Sequence, residues 1–331
     1  MFSALLLLGC KNTTNDNLGI EIYTIKGMDG KPEYIHFITE KEGYSFNTVE
    51  DWPEQTSEQL NDPNYLPQPS NSVIIYKTIN GGRNWEKTDS IKNRKFVGEG
   101  IFFKNAFYVA INDFVEDKIY LVRKKINSNL IENQVESVYG FLEDSNTAYY
   151  TSKDGFFSIN NNLKAKQILK SSFGNESLLI GNTIYTILRN NSGINFLKVY
   201  HNGGEKKISC EIEPECLAKI NNDNIVIAGY NKKEVVLLNY EISTNKITTL
   251  NEFSGYGIVQ GLKSNNKVIC GFVGNIEGAF TEYNMFYSLD KGITWKIEKL
   301  KEESYIRPSF LIENNLYIYS GGDRMQKVKF K

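Results

Sequence analysis

The sequence predicts an all-β fold, a β-propeller: a ring of short antiparallel sheets whose spacing points to seven blades and leaves six or eight open. Two observations predict it. An apolar run, a short turn holding an asparagine and a second apolar run recur six times. The turn asparagines, Asn105, Asn146, Asn182, Asn222, Asn266 and Asn315, follow one another at 41, 36, 40, 44 and 49 residues, the length of a four-stranded blade. In addition, the pattern Ser/Thr-x-Asp/Asn-x-Gly-x-x-Trp occurs at 78–85 and again at 288–295, and its two tryptophans are 210 residues apart, five steps of 42.

Taken in order, the chain opens with the apolar run 2–8, then Gly9-Cys10, then the polar residues 11–18. This resembles the end of a bacterial lipoprotein signal, with Leu7, Gly9 and Cys10 at matching lipobox positions. The resemblance implies cleavage before Cys10, acylation of its thiol, a flexible tether over 11–18, and a lipid-anchored protein of the bacterial envelope, expected at the outer membrane on either its periplasmic or its surface face. Residues 19–26 alternate as a strand, and 34–39 and 44–49 read as two more. The stretch 50–71 breaks the pattern. It carries Glu50, Asp51, Glu54, Glu58 and Asp62 with no Lys or Arg, four of the seven prolines, and Trp52. Proline lacks the N–H that a central strand needs, and a loop this long is usually functional or disordered. It is read as an insertion over one face.

The strand theme then runs from 101–109 to 310–318. Outer hairpins fill the gaps at 118–125, 196–210, 235–250 and 285–300, with 200–204 read as a decayed copy of the Trp turn. The last unit, 307–330, lacks an outer strand. Residues 19–26 are expected to supply it, pairing the two ends of the chain and leaving no long unpaired edge. The domain is therefore one propeller over 19–331.

The recurrent turn has a physical logic. A short Asp or Asn side chain accepts backbone N–H bonds nearby, and the Ser or Thr hydroxyl does the same more weakly. Glycine supplies the positive φ that closes the hairpin, and the indole folds back as an apolar plug with its N–H on a carbonyl. These two stretches resemble the Asp-box (BNR) repeats of sialidase-like and related β-propellers, the first with Asn80 where the family usually has Asp. The resemblance implies that Thr78, Asn80, Gly82, Trp85, Ser288, Asp290, Gly292 and Trp295 are structural. They would form turns joining the third and fourth strands of a blade. The second-to-third and blade-to-blade connections would lie on the opposite face, where binding loops belong. Those connections carry Trp52, Arg94, Asp113, Glu116, Arg189, Glu277, Tyr305, Arg307 and Arg324, together with Glu213 and Glu215.

Charge is balanced, with Lys+Arg 38 against Asp+Glu 39, so no global field recruits nucleic acid. No Cys/His spacing suits zinc, and no phosphate loop or Gly-x-Ser-x-Gly elbow occurs. No cofactor or metal is expected. Cys210 and Cys216 could pair in an oxidising compartment or remain thiols. Two functional classes follow. One is a non-catalytic binding module that recognises an envelope or secreted protein, or a glycan, through the loop face. The alternative implied by the resemblance is a sialidase-like glycoside hydrolase, with Arg94, Arg189, Arg307 and Arg324 as a carboxylate clamp, Asp113 as acid and Tyr305 as nucleophile. Against it, the Arg-Ile-Pro motif is absent and the six arginines are dispersed. A purely structural envelope protein is a third reading.

Overall fold

The computed structural model describes residues 18–65, 70–113, 116–125, 128, 130–174, 176–232, 234–277, 280–300 and 309–331. Strand β1 is Leu18–Thr24. Blade 1 holds β2 (Lys31–Phe37), β3 (Gly43–Asp51), β4 (Ser70–Thr78) and β5 (Glu86–Lys92). Blade 2 holds β6 (Lys95–Phe103), β7 (Ala106–Asp113), β8 (Lys118–Lys125) and β9 (Leu130–Val135). Blade 3 holds β10 (Gly140–Glu143), β11 (Ala148–Ser152), β12 (Gly155–Ile159) and β13 (Ala165–Leu169). Blade 4 holds β14 (Ser177–Ile180), β15 (Thr183–Arg189), β16 (Asn195–His201) and β17 (Gly204–Ile208). Blade 5 holds β18 (Glu213–Lys219), β19 (Asn224–Asn231), β20 (Glu234–Glu241) and β21 (Lys246–Ser254). Blade 6 holds β22 (Ile258–Ser264), β23 (Ile269–Glu277), β24 (Phe280–Ser288) and β25 (Lys296–Lys299). Blade 7 holds β26 (Ser309–Ile312), β27 (Asn315–Gly321) and β28 (Arg324–Phe330).

Every sheet is an antiparallel meander of four strands, and there are seven of them. The fourth strand of blade 7 is β1, paired with β28 from Leu18↔Phe330 to Thr24↔Arg324. The chain is a seven-bladed β-propeller closed by its N-terminal strand, as the sequence predicts. Closure satisfies the outward N–H and C=O groups that β28 would otherwise expose.

Why these strands form is visible in their burial. In β7 every residue from Ala106 to Ile111 is buried, because blades press on both faces of a middle strand. Such strands read as continuous apolar runs. The apolar core is correspondingly divided: among the described residues, seven clusters each fill one seam between adjacent blades.

The structure also corrects several boundaries. Leu18 belongs to β1 and not to the polar tether, while Cys10 and residues 11–17 lie outside the described residues. The insertion is shorter than 50–71, since Glu50 and Asp51 pair with Asn71 and Ser70 in the β3–β4 ladder. Within it stands a short helix, α1 (Ser57–Asn61), whose Thr56 and Gln59 form a reciprocal capping box. The turn at 202–203 is no copy of the Trp turn. Asn202 and Gly203 both have positive φ and join His201 to Gly204 as a plain two-residue hairpin. Cys210 and Cys216 form no disulfide.

Candidate functional site

The two Trp turns occupy the same place in their blades, between β4 and β5 and between β24 and β25. They are bonded alike, residue for residue. The Thr78 hydroxyl donates to Asn80 Oδ1 at 3.0 Å and accepts the Gly82 N–H at 3.1 Å. The Ser288 hydroxyl donates to Asp290 Oδ1 at 2.8 Å and accepts the Gly292 N–H at 2.8 Å. Asn80 Oδ1 accepts the Asn84 N–H, and Asp290 Oδ1 that of Thr294. Trp85 Nε1 donates to the Gly82 carbonyl at 2.7 Å, and Trp295 Nε1 to that of Gly292 at 3.0 Å. Gly82 has φ 86° and Gly292 has φ 90°, a region that other residues rarely adopt. Burial works against ionisation of Asp290, but bonds from Thr294 and Ser288 outweigh it and hold the carboxyl below its usual range. Both of its oxygens are bonded within the turn.

The opposite face carries the second-to-third-strand loops and the blade-to-blade connections. There a groove of about 680 Å³ runs across blades 3 to 6. Its polar lining includes Lys153, Glu176, Arg189, Glu215, Tyr230 and Gln260. Arg189 is oriented by its own loop, Nε donating to the Gly193 carbonyl at 2.7 Å. Asn195 ties two carboxylates together. Its N–H donates to Glu213 Oε1 at 3.1 Å and its side-chain amide to Glu215 Oε1 at 2.8 Å. Burial, and then the neighbouring Glu213, raise the Glu215 pKa. Burial pushes Tyr230 up to about 12, and its hydroxyl accepts the Val259 N–H at 3.0 Å. Glu176 also lines the central channel, a cavity of about 380 Å³ bordered by Glu33, His36, Glu143, Lys263 and Phe310. Burial raises the Glu143 pKa. It lowers that of His36 to about 4, whose ring lies 4.4 Å from Phe310 and 5.1 Å from Phe102 between centroids. Among the described residues, no group of three or more His, Cys, Asp or Glu side chains is placed to hold a metal.

Of the residues expected on the binding face, Arg189 and Glu215 line this groove. Arg94 and Asp113 do come together, but as a mutual ion pair, with 15% and 7% of their side chains exposed. The Arg94 guanidinium also lies over the Tyr120 ring, 4.6 Å from its centroid. The pair continues the β6–β7 ladder of blade 2 by one rung beyond Lys95↔Asn112, so the two charges neutralise each other within one blade. Glu116 is engaged by Lys118 at 2.8 Å and by the Tyr120 hydroxyl at 3.4 Å. Trp52 is 59% exposed on the insertion of blade 1 and lines neither cavity. Arg324 begins β28 on blade 7. The Glu277 side chain, Tyr305 and Arg307 lie outside the described residues. Arg94, Arg189 and Arg324 thus sit on three separated parts of the ring, and no arginine clamp forms among the described residues. Glu176, Tyr230 and Gln260 escaped sequence reasoning. Their only signal is position, at a blade-to-blade connection or a strand end facing the loop side.

No protein-family model matches the chain, and no curated protein does. Solved structures do. The β-propeller domain of the Trilobed protease from Pyrococcus furiosus matches with a TM-score of 0.57 at 9% identity, over 91% of this chain and 94% of that one. What these structures share with the chain is the propeller fold. An uncharacterised protein from Listeria monocytogenes matches at TM-score 0.54 and 7% identity, over 89% and 92%. The extracellular domain of a one component system from B. thetaiotaomicron matches at 0.51 and 11%, and there the propeller spans 94% of this chain but 40% of the other. The P. furiosus propeller has an open velcro topology, whereas β1 closes the ring here.

Proposed function

We propose that this propeller is a non-catalytic, lipid-anchored binding module of the bacterial envelope, which recognises an envelope or secreted protein, or a glycan, through the groove across blades 3 to 6. The observation that carries the reading is the separation of faces. Leu18 starts the fourth strand of blade 7, the position that follows the Trp turns in blades 1 and 6. A chain segment preceding Leu18 therefore leaves on the Trp-turn side, away from the groove. The turns flanking that exit expose aliphatic side chains, Ile79 at 72% and Ile293 at 81%, which suit an interfacial lipid contact. An acyl chain on Cys10 would then hold the Trp-turn side toward the bilayer and leave the groove free.

The groove supports binding more than catalysis. Glu215 in its lining is tied to Asn195, and its single arginine is oriented by a loop carbonyl rather than grouped with others. The test has two parts. Metabolic labelling with an alkyne fatty acid should tag the wild-type chain and not Cys10→Ala. Affinity capture from detergent-solubilised membranes should then retain a stoichiometric partner that is lost with Arg189→Glu. An unlabelled wild-type chain would remove the anchor. Capture unaffected by Arg189→Glu would remove the groove.

A further inference from the structure

In two seams of the ring the same place is filled by an indole. Trp85 and Trp295 each directly precede the fourth strand of their blade and fold back toward the preceding blade. Trp85 is 2% exposed and packs in the seam between blades 7 and 1, with its ring 6.1 Å from Phe37. Trp295 packs in the seam between blades 5 and 6, 5.8 Å from Phe286. In blade 5 the corresponding position, directly before β21, is Asn245. There the seam between blades 4 and 5 opens into a recess of about 380 Å³, at the small end of ligand pockets. Its apolar walls are Tyr185, Val199, Ile208, Tyr240 and Ile242, and the Tyr185 and Tyr240 rings meet edge-on at 6.1 Å.

We propose that this recess binds the indole of a tryptophan carried by another polypeptide, which completes the seam in trans as Trp85 and Trp295 complete theirs in cis. Three features favour an aromatic ring with a hydrogen-bond donor. Edge-on tyrosines offer the geometry that ring pairs prefer. The rim is polar and ordered, since Asn245 Oδ1 accepts from the Tyr240 hydroxyl at 2.8 Å and from Lys206 Nζ at 3.1 Å. In both filled seams the indole N–H donates to the carbonyl three residues earlier. The equivalent carbonyl, that of Ile242, accepts only the long Asn245 N–H bond of 3.4 Å among the described hydrogen bonds and has a second lone pair to offer. The recess lies on the Trp-turn side of the ring, away from the groove, so it is a second contact point beside the groove.

Thermal melts of the full chain test this. N-acetyl-tryptophanamide in about tenfold excess over its dissociation constant should raise the melting temperature by roughly 1–2 °C, and N-acetyl-leucinamide should not. Asn245→Trp, which supplies the indole in cis, should melt higher and lose the response. If that variant does not fold, Val199→Trp, which fills the recess from its wall, serves the same purpose. No shift in the wild type, or a shift that survives the filled recess, overturns the proposal. A response to free indole but not to the capped amide overturns the polypeptide source.

Discussion

At the scale of single residues, the structure turns on a few side chains that satisfy buried backbone. The Ser288 hydroxyl is buried, and it is the acceptor for the Gly292 N–H at 2.8 Å. Ser288→Ala leaves that donor unpaired and should cost about 1–3 kcal/mol, read as a lower urea midpoint with an unchanged slope. His36 offers a pH-dependent test. Burial lowers its pKa from 6.5 to about 4, so the neutral ring is favoured in the fold. Its contribution is complete above pH 6.5. As pH falls toward 4 the unfolded chain takes up the proton first, and up to roughly 3 kcal/mol is lost. Glu143 and Glu215, raised by burial, work in the opposite sense over acidic pH, so the decisive comparison is between variant and wild type. His36→Phe should flatten the fall in urea midpoint between pH 6.5 and 4; an unchanged slope would contradict it. Residue-scale function was the least legible part of the sequence. Arg94 and Asp113 are 19 positions apart, and nothing in either neighbourhood announces that they neutralise each other.

At the scale of elements, legibility follows burial. Middle strands such as β7, β19 and β20 are covered on both faces and read as unbroken apolar runs. The outer strands β9 and β13 are exposed at nearly every position, so their polar sequences LIENQV and AKQIL carry no alternation to read. Helix α1 was equally hidden, because five residues set among prolines make too short a period. The Trp turns were legible since hydroxyl, carboxamide or carboxylate, glycine and indole each have one job at one spacing. Trp85→Ala empties a fully buried site and should cost about 3–5 kcal/mol. Trp295→Ala, at a more exposed site, should cost distinctly less. Parallel denaturant melts check the order, and equal losses would contradict the burial difference. The β1–β28 pairing makes a prediction of its own. Deleting 18–24 strips β28 of one of its two partners, so the amides in 324–330 that point toward β1 should lose exchange protection while those of β19 keep theirs.

At the scale of the whole molecule, the recurrence of turn asparagines points to seven blades, with six or eight left open, and the last unit's missing outer strand points to β1, because each blade repeats one supersecondary unit. The groove was not placed, since it is assembled from strand ends and connections of four blades, with lining residues from Tyr139 to Gln260. What the ring does is divide labour between its sides: hairpin turns and the chain's entry on one, loops and the groove on the other. One measurement tests that division directly. The photo-crosslinking residue p-benzoylphenylalanine is placed in intact cells at Ile194, on the groove-side loop of blade 4, and separately at Ile293, on the Trp-turn side of blade 6. The account predicts a discrete protein or glycan adduct from position 194 and lipid adducts from position 293. Lipid adducts from 194, or a discrete partner captured from 293 alone, would contradict it.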